Sequence, residues 1–289
     1  MTHDTTRRRF LIGVGAAGTV ALAGCTTGGD GGSQPPTESM GGETTTESMG
    51  SEMNESMNES MSETTSESMD DGMMATTFTV RIENVGSAET LQTSEGPVPA
   101  VLAPVAYAVH GEGVSLFTEG EAASPGLETL AEDGGPGTLV EEVEMSVDHA
   151  GAAAVPVDGD EAGPIGPGGA YTFQVEAHAG HRLSLATMFV QSNDLFYAPE
   201  PAGIPLFDEN DEPVDGDRTS QLLLWDAGTE VNEEPGVGPN QAPRQSGPNT
   251  GDDEMGTVRR IADVDDGYDY PETSAVVRLT VSPSQAMDN

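Results

Sequence analysis

Acidic residues directly follow two apolar runs in the centre of the chain. Leu183 to Val190 lead into the turn Ser192-Asn193-Asp194, and Leu222 to Trp225 lead into Asp226-Ala227-Gly228-Thr229-Glu230. Short apolar runs that end at turn residues are typical of buried β-strands, so both turns are expected on loops at one end of a sandwich. Carboxylate oxygens held on rigid strand ends are the ligands that calcium prefers. The pattern therefore predicts a metal site.

The rest of the chain from Thr77 onward predicts the elements that position these turns. Apolar and polar residues alternate from Phe78 to Ile82, as in a half-buried strand. A helix is expected from Pro125 to Glu132, because Ser124 is a capping residue and Gly134 is typical of a helix end. Further strands are expected at Leu139 to Val147, Tyr171 to Ala177, Leu183 to Val190, Gln221 to Trp225 and Ser274 to Val281.

This order of elements predicts an all-β fold, an antiparallel β-sandwich with one short helix, over residues 77–283. Residues 98–110 form a longer apolar run whose prolines, Pro99 and Pro104, favour an edge strand or an irregular segment. The Pro/Gly-rich acidic stretch from Val231 to Met255 is interpreted as a surface excursion. Residues 284–289 are expected to be a C-terminal tail.

The chain has an extreme net charge, which limits the classes of partner that it is expected to bind. The 289 residues include 50 Asp and Glu against 10 basic residues, which gives a net charge of −40, and the basic residues include no Lys. At about 1 M salt the Debye length is only about 3 Å, so the mutual repulsion is screened. We interpret the composition as adaptation to molar salt. Nucleic acid is not expected as a partner, because phosphate binding needs basic patches.

The first 24 residues predict an export signal. Arg7-Arg8-Arg9 precede a small apolar segment that ends at Leu22-Ala23-Gly24-Cys25, a sequence that resembles a lipobox. We therefore expect twin-arginine export, cleavage before Cys25 and lipidation of its thiol, which anchors the protein in the membrane at the extracellular face of the cell. The alternative is a simple cleaved signal, which gives a freely secreted protein.

Residues 25–76 predict a disordered stalk. The segment is rich in Gly, Ser, Thr, Glu and Met and repeats the unit Glu-Ser-Met, so it cannot bury a core. Asn54 and Asn58 begin glycosylation acceptor patterns, against which chance occurrence in a Ser-rich tract is a strong alternative. The Met residues alone do not predict a copper site, because neither His nor Cys accompanies them.

Four motifs in order resemble the spondin N-terminal-type domain of F-spondin and mindin. They are Glu119 to Leu127 with Leu130-Ala131-Glu132, Ser192-Asn193-Asp194, Trp225 to Glu230, and Pro239-Asn240-Gln241-Ala242-Pro243. The resemblance implies a C2-like β-sandwich that binds calcium and serves adhesion at cell surfaces. By matching position, the implied metal ligands are Asp194, Asp226 and Glu230, the last of which stands where the family commonly has aspartate.

The histidines and a second acidic run also suggest metal sites. His178 and His181, with His110 and His149, could suggest a transition-metal site, but we interpret the first two as turn residues that flank Gly180. A blue-copper site needs a cysteine thiolate in the fold, and Cys25 is the only cysteine. The acidic run from Asp263 to Gly267 is interpreted as a solvated turn.

The sequence therefore predicts a non-enzymatic, calcium-binding lipoprotein of the cell surface that acts in adhesion or recognition of an extracellular protein or glycan. One alternative is a secreted hydrolase or carbohydrate-processing enzyme that uses the same carboxylates for acid/base chemistry. Another is a structural envelope component whose metal site has been lost.

Overall fold

The computed structural model describes residues 75–284. The expected signal segment, Cys25, Asn54 and Asn58 and residues 285–289 lie outside the described residues. Within residues 75–284, no helix is both long and apolar enough to span a bilayer.

The described chain is an all-β antiparallel sandwich with short helices. Its strands are β1 Thr76–Asn84, β2 Leu102–His110, β3 His149–Ala153, β4 Ala170–Ala177, β5 Arg182–Phe189, β6 Leu195–Pro199, β7 Ile204–Pro205, β8 Gly216–Asp217, β9 Leu222–Asp226, β10 Arg259–Arg260 and β11 Val277–Pro283. The α-helices are α1 Pro125–Asp133, α2 Gly137–Val143 and α3 Thr273–Val276, and short 3-10 turns occupy Thr219–Gln221 and Ile261–Asp263. The antiparallel sandwich predicted from the sequence is confirmed.

Two sheets face each other across the main core. One has four strands in the order β4-β1-β11-β8, and the other follows the order β10-β9-β6-β5-β2-β3, with β7 added beside β5. Alternate residues of β1, namely Phe78, Val80 and Ile82, are buried between the sheets. Their spacing of two is the period of a strand that has one face in the core.

Helices α1 and α2 form a third layer on the outer face of the larger sheet. Leu127 and Leu130 of α1 pack with Trp225 of β9 and Ala186 of β5 in a second buried cluster. Strand β5 is therefore covered on both faces, which explains why its residues form a continuous apolar run instead of alternating. The same coverage buries Trp225 completely.

Two predictions about individual elements are wrong. The strand expected at Leu139 to Val147 is instead helix α2 with the turn that follows it. Its apolar residues Leu139, Val143 and Val147 are four apart, which is the spacing of one helix face and not of a strand. For residues 98–110, where an edge strand or an irregular segment is expected, the edge strand is wrong, because Leu102–His110 form the interior strand β2. Pro104 lies in the irregular stretch of the pairing with β5, where no ladder N–H is required.

Helix α1 has the ends that the sequence predicts. The Ser124 hydroxyl accepts the Leu127 N–H at 3.2 Å, and Gly134 closes the helix with φ +70°. The Glu142 side chain of α2 accepts the N–H of Gly126 at 2.7 Å and the Ser124 hydroxyl at 2.6 Å. These bonds hold α1 and α2 together at the start of α1.

The contact between α1 and α2 requires glycine at position 126. A Cβ there would lie 2.6 Å from the Leu139 Cα, whereas a Cβ on Gly137 would meet no atom within 4 Å. We expect Gly126→Ala to destabilise the fold by about 1 to 3 kcal/mol through overpacking. The matched control Gly137→Ala should be neutral or stabilising by up to about 1 kcal/mol. Chemical unfolding in molar KCl measures both, and equal stability of the two variants would contradict this packing.

Candidate metal centre

Strand pairing brings Asp194 and Asp226 side by side. Asp194 immediately precedes β6 and Asp226 ends β9, and in the β6–β9 ladder Leu195 lies opposite Asp226. The Ala227 N–H donates to the Asp194 carbonyl at 3.2 Å, which extends the pairing by one residue. The two sequence-predicted aspartates thus lie at the ends of adjacent strands, at the same end of the larger sheet, as the strand pattern predicts.

Asp194 is held by the turn that follows β9. Its Oδ2 accepts the backbone N–H groups of Thr229 at 2.8 Å and Glu230 at 3.2 Å, and also the Thr229 hydroxyl at 3.2 Å. The residue is completely buried, yet its Oδ1 has no hydrogen-bond partner among the described residues. A buried carboxylate oxygen without a partner is costly, so this atom marks a place where a ligand would be stabilising.

Asp226 is also completely buried and is more fully bonded. Its Oδ1 accepts the Gly228 N–H at 2.7 Å, and its Oδ2 accepts the Asn232 amide at 2.9 Å. The same Oδ2 lies 3.1 Å from Nη2 of Arg259, the residue opposite Asp226 in the β9–β10 ladder. Arg259 is thus the cation that the fold itself supplies to Asp226.

A third carboxylate, Glu254, comes from the long segment between β9 and β10. This segment turns back on itself, and Glu230 and Asp253 form an antiparallel bridge. The Glu254 N–H donates to the Thr229 carbonyl at 2.9 Å, and the Glu254 Oε1 accepts Arg259 Nη2 at 2.5 Å. Sequence reasoning missed Glu254, because only the tertiary path of this segment brings it to the aspartates.

The return of the chain depends on Gly228. This residue has φ +72°, and a Cβ on it would lie 2.6 Å from the Thr257 backbone nitrogen. The Gly256 N–H donates to the Gly228 carbonyl at 2.7 Å. Only glycine combines this φ with such a close approach at no steric cost.

Asp194, Asp226 and Glu254 together can hold a metal ion. Each offers one carboxylate oxygen, and these three atoms lie within 4.8 Å of one another. Glu254 Oε2, like Asp194 Oδ1, is buried without a hydrogen-bond partner among residues 75–284. The donor set consists of carboxylates, which suits a hard cation.

Glu230, the third ligand implied by the resemblance, lies outside this group. Its side chain is buried, but Oε2 accepts the Asn193 amide at 3.1 Å and Oε1 accepts the Gly251 N–H at 2.9 Å. The carboxylate therefore joins the β5–β6 turn to the returning segment. Glu230 touches the centre only through its backbone N–H, which donates to Asp194.

The interpretation of residues 231–255 as a surface excursion is only partly right. Gln241, from the motif Pro239 to Pro243, is buried, accepts the Gly236 N–H at 2.8 Å and donates to the Glu234 carbonyl at 2.9 Å. Glu233 accepts the Asn240 N–H and its amide. These bonds hold the segment in a compact turn. The Glu233 N–H, which donates to Asn193 Oδ1 at 3.1 Å, ties that turn to the chain between β5 and β6.

The buried carboxyls resist ionisation. Burial first, and then the neighbouring Asp226 carboxylate, raises the pKa of Asp194, against the hydrogen bonds from Thr229 and Glu230. Burial also raises the pKa of Asp226, although Arg259 and Asn232 favour its charged form. The Arg259 guanidinium pairs with Asp226 and Glu254 only, so a bound cation would stabilise the ionised cluster.

The remaining sequence candidates lie apart from the centre. His110 is buried at the end of β2, where its Nε2 is 2.8 Å from the Ser184 hydroxyl. In the acidic run from Asp263 to Gly267, Asp266 accepts the Tyr270 hydroxyl at 2.5 Å. His178 and His181 close a turn around Gly180, as predicted, with the His181 N–H donating to the His178 carbonyl at 3.0 Å.

The fold and the site define an antiparallel β-sandwich with a buried acidic centre at one edge of its larger sheet. No protein-family model matches this chain, and none of the curated protein sequences matches it. The spondin-like motifs therefore carry the family hypothesis by themselves.

Glu132 is a further buried carboxyl group close to the metal centre. It is buried near the end of α1 and lines a cavity of about 450 Å³ with Glu128, Glu230 and Asp253. Burial, and next the charges of neighbouring carboxylates, raises the pKa of Glu132 to about 7, against a hydrogen bond with Thr229 that lowers it. Between about pH 4.5 and about pH 7 the folded protein thus retains a proton that the unfolded chain releases.

This proton makes stability depend on pH. A carboxyl whose pKa is higher in the folded state stabilises the fold at low pH and loses that contribution as pH rises from about 4.5 to about 7. We expect Glu132→Gln to flatten this slope and to be more stable than wild type at pH 8 by about 1 to 3 kcal/mol, at about 1.4 kcal/mol per pKa unit. Chemical unfolding between pH 4 and pH 8 measures the difference. The control Glu141→Gln, at an exposed residue of α2, should keep the slope, and a wild-type slope in Glu132→Gln would contradict this origin.

Proposed function

We propose that this protein binds calcium at Asp194, Asp226 and Glu254, and that the calcium-loaded sandwich acts in recognition or adhesion at the cell envelope. The observation that carries the proposal is the buried cluster of three carboxylates with two oxygens that lack hydrogen-bond partners. A divalent ion supplies the missing partner to both oxygens and the missing charge to the cluster.

The chemistry of the donors favours calcium over other ions. Transition metals of the zinc type prefer imidazole and thiolate ligands, whereas the ligands here are carboxylates. Calcium accepts six to eight oxygens in flexible geometry, and magnesium requires near-ideal octahedral geometry. Two of the carboxylates are fixed by strand pairing and the third comes from a loop, a combination that suits the more tolerant ion.

Arg259 and a bound ion would compete for the same carboxylates. The guanidinium lies 3.1 Å from Asp226 Oδ2 and 2.5 Å from Glu254 Oε1, so it neutralises part of the cluster when no ion is bound. A calcium ion that contacts both carboxylates repels this guanidinium. The side chain of Arg259 is about one-third exposed and has room to turn toward solvent.

The proposed location rests on the N-terminal sequence. Arg7-Arg8-Arg9 and the lipobox ending at Cys25 support export and a lipid anchor, and the tract after Cys25 supports a tether. The spondin-like motifs support a role in adhesion, with an extracellular protein or a glycan as the partner. We propose a binding protein and not an enzyme.

The geometry supports ion binding better than the hydrolase alternative. Glycosidases hold two carboxyl groups about 5 to 9.5 Å apart across a cleft that admits a sugar. Here the oxygens converge within 4.8 Å, and Asp194 and Asp226 are completely buried. Convergent buried carboxylates therefore favour an ion over a sugar ring as the ligand.

Calcium should stabilise the wild-type protein through this cluster. At a hundredfold excess over Kd, mass action adds about 2.7 kcal/mol to the free energy of unfolding. We expect the melting temperature of the full chain in molar KCl to rise saturably with calcium. Glu254→Gln should weaken this response at least tenfold, because it removes one charged ligand. Glu230→Gln should lower the stability of the ion-free protein and keep the response.

Two results would contradict this assignment in different ways. If calcium shifts the wild type, and Glu230→Gln abolishes the shift while Glu254→Gln retains it, the ligand set implied by the resemblance is correct. If the wild type does not respond to calcium, there is no calcium site in the folded chain.

The anchor has a separate test. In the native host, wild-type protein should sediment with membranes, and Cys25→Ser should appear in the medium or the soluble fraction, because lipidation needs the thiol. A matched change outside the lipobox, Ser33→Ala, should leave the distribution as in wild type. Membrane association of Cys25→Ser equal to that of wild type would exclude a lipid anchor at this residue.

A further inference from the structure

Three of the four histidines in residues 75–284 line one cavity on the opposite side of the sandwich from β10. The cavity has a volume of about 490 Å³, and its walls include Asp148 and His149 at the start of β3 and His178 and His181 in the β4–β5 turn. Strands β3 and β4 are the edge strands of the two sheets. The chain crosses from one sheet to the other at the β4–β5 turn, so these residues meet where the sandwich closes.

We propose that this cavity is a second metal site, which binds a divalent transition metal of the zinc type through three imidazoles and one carboxylate: those of His149, His178, His181 and Asp148. Imidazole and carboxylate are established zinc ligands. The sequence interpretation of His178 and His181 as turn residues holds for their backbone, and both residues line this cavity. The site is independent of the proposed calcium centre.

One pair of ligand atoms already has the separation that a bound ion requires. His181 Nε2 lies 3.7 Å from Asp148 Oδ2. With metal–ligand bonds of 2.0 to 2.2 Å, a nitrogen and an oxygen on one tetrahedral zinc lie about 3.4 Å apart. A shift of a few tenths of an ångström therefore brings both atoms to bonding distance, and the 61 % exposed Asp148 side chain can move that far.

The imidazole rings of His178 and His181 have a spacing that is compatible with binding one ion. The ring centroids of His178 and His181 are 5.5 Å apart, whereas two imidazoles bound to one tetrahedral ion place their centroids about 5 Å apart. The turn fixes this spacing, since Gly180 with φ +86° allows the chain to reverse between the two histidines. Coordination through His181 Nε2 places its proton on Nδ1 and breaks the 3.3 Å bond from the His178 N–H, which is long and exposed.

His149 supplies the third imidazole from the neighbouring strand. Its ring packs against Tyr107 with centroids 5.8 Å apart, and the Asp148 N–H donates to the Val109 carbonyl at 3.1 Å, which anchors the start of β3. His149 and His178 are exposed, and the proposed coordination requires both rings to rotate toward the pair formed by His181 and Asp148. Glu176 lies at the wall of the same cavity and adds negative charge that favours a cation.

Calorimetric titration of zinc into the full chain tests this site. The protein is made without a histidine tag and studied in molar KCl with saturating calcium present. We expect one zinc ion per chain to bind through this cavity. His181→Ala and His178→Ala should each weaken binding at least tenfold, and Asp148→Asn should weaken it less.

Matched controls exclude binding elsewhere in this acidic chain. His110→Gln changes a histidine outside the cavity, and Asp158→Asn changes an exposed carboxylate, so both should bind zinc as wild type does. Melting curves confirm that each variant is folded. Failure of wild type to bind zinc, or equal affinity of wild type and the His178→Ala/His181→Ala double variant, would overturn the proposal. Because calcium is saturating throughout, loss of zinc binding would not be confused with failure of the calcium centre.

Discussion

Two buried carboxylates, Asp194 and Asp226, lie at the ends of adjacent strands, and only Asp226 of the two is paired with a guanidinium, that of Arg259. The architecture of this end of the protein follows from that constraint. Asp194 needs the Thr229 and Glu230 N–H groups, so the turn after β9 must fold over the turn before β6. Asp226 needs Arg259, so the segment between β9 and β10 must return to the sheet edge. That return brings Glu254, a third carboxylate, into the group. The cluster is thus organised by hydrogen bonds and still lacks positive charge.

Dissolved salt screens the charges on the protein surface, but it does not neutralise the buried carboxylates. At about 1 M ionic strength, interactions between exposed charges more than about 3 Å apart are largely screened. Such screening would reduce the self-repulsion of a chain of net charge −40. Buried groups are screened much less, and Asp194 and Asp226 have no exposed area. A bound ion that contacts the carboxylates directly would offset their repulsion while they stay ionised. The acidic surface therefore requires screening by salt, whereas the buried carboxylates require a cation in direct contact.

Local pattern predicted the parts of the fold that depend on local chemistry. The alternation in β1, the capped helix α1 and the apolar strands β5 and β9 could all be predicted because burial and capping leave a short-range signal. The spacing of Leu139 and Val143 also carries a helical signal, whereas Val140, Val143 and Val147 are β-branched residues of the kind that favours a strand. At the site, the strand ends predicted Asp194 and Asp226. Glu254 could not be predicted, because it follows a segment of more than twenty residues whose path depends on the glycines and buried side chains that fold it back.

The crystal structure of the full chain grown in molar KCl with calcium would test the central claim most directly. The account predicts one electron-density peak about 2.3 to 2.6 Å from oxygens of Asp194, Asp226 and Glu254, with the Arg259 guanidinium turned away from Asp226 and the Glu230 carboxylate still bonded to Asn193. If the density instead shows Arg259 between Asp226 and Glu254 and no ion at saturating calcium, the cluster is a closed ion-pair network. The calcium-binding account would then be wrong.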